Sequence, residues 1–267
     1  MTTPQRAAEL DRLADGLRIA ERTRVPVEQV SSGRPWLTPA DAYAIQERLV
    51  RPRLSAGETL QGWKVGLTAK AMQQQLGVDQ PDYGAILSGW VVPDGATLRL
   101  DALIAPRVEA EVCFRLARPL RGPGVTIDDV LAATSGVSAA IEVIDSRIRD
   151  WRLTLVDTIA DMASSARVVV ADASVDPTTL DLAAVTVELL RDGEVVSTGV
   201  GAACLGHPAA AVAWAANTLG GLGVTLEAGH IVMPGALHAS VPVIGTSRFE
   251  ARFAGIGSVV IGFEAPA

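Results

Sequence analysis

The sequence predicts an α+β protein: a mixed, curled β-sheet core, roll- or barrel-like, with a helical N-terminal section and peripheral helices. Three observations predict it. Helical periodicity dominates residues 1–60, and short β-like runs split by Gly, Pro and Asp dominate the remainder. The helices that interrupt those runs do so irregularly, unlike the strict alternation of a doubly wound sheet.

Taken in order, Leu10, Leu13, Ala14, Leu17 and Ala20 recur at helical spacing within 5–22, with charges between them. A second helix starts at Thr38-Pro39-Ala40-Asp41, with Thr38 as N-cap, Pro39 in the first turn and Asp41 at the capping-box position. Ala42, Ile45 and Leu49 give it a core face, and it ends near Gly57. Strands are expected near 62–67, 97–100, 107–117, 139–146, 166–170, 184–190, 194–199, 230–233, 248–254 and 257–263. Asp192-Gly193 joins two of them as a hairpin turn. Helices are expected at 69–76, at 127–135 behind an N-cap at Thr126, and at 208–219 between Pro208 and Gly220-Gly221. The chain therefore divides into a helical section, 1–60, and one mixed-β unit, 61–267, that carries the chemistry.

A chain of 267 residues can bury roughly three quarters of its unfolded surface and needs no disulfide staple. Cys113 and Cys204 accordingly read as reduced, buried thiols. A net charge of −7 without a basic run argues against a nucleic-acid partner. The longest apolar stretch, 209–216, is far too short to span a membrane, and the N-terminus lacks the apolar core of a signal peptide. A soluble cytoplasmic protein is expected.

The chemistry-bearing residues begin with Pro106-Arg107-Val108-Glu109-Ala110-Glu111. In a strand, Glu109 and Glu111 project from one face, roughly 6.6 Å apart along the chain. Glu142 lies in a second strand-like run about thirty residues on. The pair could form a solvated face with Arg107 and Arg115. Three carboxylates held together, however, repel unless some protonate or a hard divalent cation joins them. Lys64 lies mid-strand between Gly62 and Gly66, placed either to hold an anionic substrate or to snorkel to the surface. Pro81-Asp82-Tyr83-Gly84 reads as a turn. The polar cluster from Asp145 to Ser165 reads as a functional loop or as a set of helix caps. Gly199-Val200-Gly201 fails as a dinucleotide fingerprint, because Cys204 stands where the third glycine belongs. His207, His230 and His238 have no zinc-site spacing and suit caps or core positions.

Together, the stretches 62–68, 73–84, 106–111, 141–151, 156–165, 204–208 and 255–259 resemble the 2-keto-4-pentenoate hydratase / 4-oxalocrotonate decarboxylase group of the fumarylacetoacetate hydrolase superfamily. The resemblance runs from about residue 38 to 263. It implies a metal on Glu109, Glu111 and Glu142, with Mg²⁺ or Mn²⁺ as cofactor. Lys64 and Asp82 take catalytic positions, and Ser164 and Leu76 take substrate-binding ones. It further implies a small 2-keto or 2-hydroxy dienoate substrate and homo-oligomers, associated with the sister decarboxylase or a downstream aldolase. The implied activity is hydration of a 2-hydroxypenta-2,4-dienoate to a 4-hydroxy-2-oxo acid in aromatic catabolism. The sister decarboxylase of 2-oxo-3-hexenedioate is the alternative, followed by a C–C hydrolase and a non-catalytic homologue. No surplus cation stands out in the sequence to hold a second carboxylate, which favours the hydratase. Met162 departs from the group's usual Asn, removing two donors and an acceptor beside Ser164, and is expected to alter the distal end of the substrate site.

Overall fold

Two helices open the chain. The computed structural model describes residues 2–266 apart from 71, 72, 75 and 76. Helix α1 (Thr3–Thr23) turns Leu10, Leu13, Leu17 and Ala20 inward, and α2 (Pro39–Ser55) does the same with Ala42 and Ile45. Thr38 caps α2: its hydroxyl accepts from Asp41 N, and the Asp41 carboxylate accepts from Thr38 N at 2.8 Å. The two helices share an apolar cluster with Ile148 and Ile159, so the N-terminal section buttresses the segment that forms one wall of the site.

The strands are β1 (Leu60–Gly66), β2 (Asp82–Leu87), β3 (Val91–Val92), β4 (Thr97–Arg99), β5 (Arg107–Leu116), β6 (Thr134–Ile144) and β7 (Ser165–Val170). They continue as β8 (Thr186–Arg191), β9 (Glu194–Val200), β10 (Ile231–Met233), β11 (Val241–Pro242), β12 (Ser247–Phe253) and β13 (Gly257–Glu264). Among the described residues, one sheet runs β2-β1-β10-β5-β6-β7-β3, with β11 also on β5, and the second runs β4-β13-β12-β8-β9. The β1–β10 and β3–β7 pairs are parallel, whereas β5 pairs antiparallel with β6 and β10. This is the mixed, curled sheet expected from the sequence. Further helices among the described residues are α3 (Ile127–Ala133) behind the Thr126 cap, α4 (Leu155–Ala160) and α5 (Pro208–Gly221).

Strand parity decides what the sheet does. Val108, Ala110, Val112 and Phe114 on β5, with Ile141 and Val143 on β6, pack into one core with Phe249, Ile261 and Phe263 of the second sheet. A core of this size supplies most of the folding free energy, at about 25 cal/mol per Å² of apolar surface removed from water. The alternate residues, Arg107, Glu109, Glu111 and Cys113, therefore share the opposite face. A small apolar cluster there, Cys113, Ala140, Val168, Ile231 and Met233, floors the polar site.

One expectation changes. The turn expected at 81–84 is the start of β2, paired antiparallel with β1 in the register Lys64↔Gly84 and Gly66↔Asp82. Every residue of this strand is buried, so Asp82 and Gly84 sit there for what they approach, not for turn chemistry. In the polar cluster, Thr154 caps α4 through Asp157, in line with the helix-cap reading of that stretch. The helix expected at 69–76 falls partly on residues outside those described, as does Leu76. The two cysteines are free and buried.

Candidate active site

Glu109 on β5 stands directly across from Glu142 on β6, and Glu111 follows two positions along the same face. Carboxylate oxygens of all three lie within 4.8 Å of one another. Glu111 and Glu142 are fully buried. Glu111 Oε2 accepts from Gly235 N at 2.8 Å. Its other oxygen, and both oxygens of Glu142, have no hydrogen-bond partner. Burial, then the charge of Glu142, pushes both Glu109 and Glu111 above the ordinary carboxylate range, Glu109 to about 7. Orphaned buried oxygens of Glu111 and Glu142, with the half-buried Glu109 carboxylate beside them, are a donor set suited to a hard divalent cation.

Lys64 enters from β1. Its Nζ lies 3.2 Å from Glu142 Oε2 and donates to the Ala163 carbonyl at 2.9 Å. Burial works against its charge, but attraction to Glu142, Asp82, Glu109 and Glu111 outweighs that and holds the ammonium protonated. Snorkelling is thereby excluded: the side chain points inward and is 4% exposed.

Asp82 lies beside it, across from Gly66. A Cβ on Gly66 would stand 2.2 Å from Asp82 Oδ1, so glycine is what lets the carboxylate lie there. Asp82 Oδ2 accepts from the Thr158 hydroxyl at 3.0 Å, while Oδ1 has no partner. Burial raises its pKa, opposed by Lys64 and Thr158.

The third wall is the turn 161–165. Met162, Ala163 and Ser164 all have positive φ, at 61°, 49° and 56°. Such a run costs free energy and persists only where the surroundings over-determine it. Here Arg147 clamps Asp161 at 2.6 Å and donates to the Ser165 carbonyl, and Ser164 donates to Asp161 Oδ2 at 2.9 Å. The Ser164 hydroxyl is thus tied to the turn, and the result aims the Ala163 carbonyl at Lys64.

A cavity of about 450 Å³ opens over these groups, lined by Lys64, Asp82, Glu109 and Ser164. The sequence reasoning missed two other lining residues. Arg107 stacks over Trp151, Cζ 4.7 Å from the ring centroid, and is a cation in the cavity wall where none stood out in the sequence. Its signal was its parity with Glu109, read there as a surface charge pair. His238 lines the opposite side, accepting from Ala110 N through Nε2 at 3.1 Å and meeting the Ala239 carbonyl through Nδ1. Those partners fix a neutral Nδ1–H tautomer, and burial lowers its pKa. His207 and His230 are local caps, each accepting a nearby backbone N–H. The Met162 expectation is corrected: its side chain is buried beside a different cavity and does not line this one.

Comparison with known proteins gives the family. Residues 65–263 match the fumarylacetoacetate (FAA) hydrolase C-terminal family. The chain is 42% identical to the 2-hydroxyhexa-2,4-dienoate hydratase of Comamonas testosteroni over 254 residues, 94% of this chain and 95% of that one. It is also 42% identical to a 2-keto-4-pentenoate hydratase of Paraburkholderia xenovorans over 262 residues, 98% of this chain and 96% of that one. Among solved structures, the 4-oxalocrotonate decarboxylase of Pseudomonas putida, complexed with magnesium and adipate, superposes with a TM-score of 0.93 at 36% identity, covering 98% of both chains. The chain belongs to the fumarylacetoacetate hydrolase family, in its group of 2-keto-4-pentenoate hydratases and 4-oxalocrotonate decarboxylases.

Proposed function

We propose that the protein is a divalent-metal-dependent hydratase, a carbon–oxygen lyase that adds water to a 2-hydroxypenta-2,4-dienoate-type acid to give a 4-hydroxy-2-oxo acid. The observation that carries this reading is the trio Glu109, Glu111 and Glu142 beside a buried Lys64 and a half-satisfied Asp82. Hydratases 42% identical over almost the whole chain support it.

Glu109, Glu111 and Glu142 would hold Mg²⁺ or Mn²⁺, which when bound supplies Lewis-acid stabilisation of charge on the substrate's 2-oxygen. Lys64 places a fixed positive charge against the substrate carboxylate and enolate oxygen, in a site where low dielectric strengthens it. Asp82, whose Oδ1 has no partner, moves the proton from the 2-hydroxyl to C5 as the dienol becomes the α,β-unsaturated ketone, then takes one from the water that adds at C4 and returns it to C3. Burial raises its pKa, which suits a group that must both accept and return a proton. Ser164 and the turn around it orient the substrate, and Leu76 is assigned to its binding. The protein is taken to act as a cytoplasmic homo-oligomer, alone or with a sister decarboxylase or a downstream aldolase. Its two free, buried thiols suit a reducing compartment.

One observation favours a second reading. Arg107 in the cavity wall could hold the distal carboxylate of a 2-oxo-3-hexenedioate, as a decarboxylase requires. Incubation with Mg²⁺ and each substrate in turn separates the two. The hydratase reading expects loss of dienol absorbance with formation of 4-hydroxy-2-oxopentanoate and no CO₂. Release of CO₂ from the dicarboxylate without hydration of the dienoate overturns it.

A further inference from the structure

The turn 161–165 has two sides. Its Ala163 and Ser164 face the cavity described above, whereas Met162 lines a second cavity of about 340 Å³ between α1, α2 and the sheet. In a chain of net charge −7, this second cavity is bordered by six arginines and only two carboxylates, Glu21 and Asp145. Some of those charges are committed. Arg147 is held by Asp161, Arg18 by Asp15, and the Asp145 carboxylate accepts from Ile104 N and Ala105 N. Arg53 is shared between Glu21 at 3.2 Å and Glu58 at 3.3 Å, and stacks over Trp90.

Arg22 is exposed in the last turn of α1, whereas Arg24 and Arg167 are different. Among the described residues neither has a carboxylate within ion-pair distance. Arg24 Nε is buried without any hydrogen-bond partner, and Arg167 donates only to the Ala166 carbonyl. Burial lowers the Arg167 pKa, and the charges of Arg53 and Arg24 add to that against the opposing pull of Glu21. Guanidinium groups turned into a partly enclosed cavity without a carboxylate partner carry a desolvation cost that a bound oxyanion removes. The rest of the lining, including Leu17, Trp90, Leu103 and Met162, is apolar. An inorganic anion would leave that surface uncovered. At about 30 Å³ for each water-sized group, the volume has room for roughly ten non-hydrogen atoms.

We propose that this cavity is a second, non-catalytic binding site for a small organic carboxylate. Arg24 and Arg167 take the carboxylate, Arg53 flanks it, and the apolar lining takes the short tail. The site stands independently of the reaction assigned to the first cavity. Its occupant also touches Met162, whose neighbour Ala163 supplies the carbonyl held by Lys64, so the two cavities share one wall.

Calorimetric titration of the Mg²⁺-loaded full chain with hexanoate and, separately, with inorganic phosphate tests the site. Glu111→Gln serves as the variant impaired at the first cavity. Arg167→Ala and Arg24→Asn act at the second, the latter chosen because Asn tolerates the left-handed backbone at φ 62°. Expected is one equivalent of hexanoate bound by both the wild type and Glu111→Gln, weakened tenfold or more in each arginine variant. If Arg167→Ala fails to fold, Arg24→Asn decides. Loss of all hexanoate binding in Glu111→Gln, or unchanged affinity in the folded arginine variants, overturns the site. Phosphate binding as tight as hexanoate overturns its assignment to an organic acid.

Discussion

Glu109 and Glu142 face each other across the β5–β6 ladder, at a register position where two like charges would ordinarily destabilise the pair. Glu111 sits on the same face, so the sheet is built around a local repulsion that a cation removes. At pH 8, excess Mg²⁺ should raise the melting temperature and EDTA should lower it, the stabilisation reaching about 2.7 kcal/mol at a hundredfold excess over Kd. Glu111→Gln should abolish the Mg²⁺-dependent shift while leaving the metal-free protein at least as stable as wild type. A metal response in Glu111→Gln equal to wild type would remove Glu111 from the donor set.

Lys64 offsets part of the same charge. Replacing it with Met leaves buried carboxylates without their ammonium and should cost about 3–5 kcal/mol in urea unfolding of the metal-free protein. Turnover should collapse as well. Lys64→Arg should not restore it, because a planar fork cannot occupy the space between Glu142 and the Ala163 carbonyl. Full rescue by Arg would argue for a generic positive charge.

Asp82→Asn conserves volume and keeps a partner for Thr158, so the fold should be retained while kcat falls by about 10²–10⁴-fold. In the wild type, kcat should rise as pH increases through a pKa above the ordinary carboxylate range, and this limb should vanish in the variant. Thr158→Val, which removes only the orienting hydroxyl, should shift that limb upward, since its hydrogen bond favours the charged form. A limb that survives Asp82→Asn would belong to another group.

The two glycines of β1 should separate catalysis from folding. In Gly66→Ala the new methyl must displace the Asp82 carboxylate, so activity should drop tenfold or more with modest loss of stability. In Gly62→Ala the Cβ would meet the Ile231 carbonyl at 1.8 Å from a backbone held at φ +154°, which should prevent the β1–β10 pairing altogether. Soluble yield and melting temperature would distinguish them, and equal losses in both would contradict this division.

Asp41 offers a pH test away from the site. The hydrogen bond from Arg6, with Thr38 adding to it, lowers its carboxyl to about 2 from an ordinary 3.8. A folded-state pKa below the unfolded one gives stability that is fully present above pH 4 and is lost as pH falls through about 2. Asp41→Asn should therefore destabilise the protein by about 1 kcal/mol at pH 7, the size of a lost cap. The difference from wild type should close toward pH 2, and a gap independent of pH would assign the effect to packing.

By itself the sequence determined the strand that carries Glu109 and Glu111, because period-2 alternation depends on local geometry alone and put both carboxylates on the face opposite Val108 and Ala110. It also determined the N-caps at Thr38 and Thr126, where the side chain and the backbone it serves lie within three residues. Only the tertiary structure decided the rest. Asp82 looked like a turn residue until β2 was seen paired with β1, since a buried polar strand residue makes sense only beside Lys64 and Thr158. Arg107 looked like a surface charge until the 150s segment brought Trp151 over it. Met162 looked like part of the substrate site, yet three consecutive positive-φ residues turn its side chain to the other cavity. The physical reason is common to all three: periodicity says which face a side chain occupies, but only long-range packing says what that face meets.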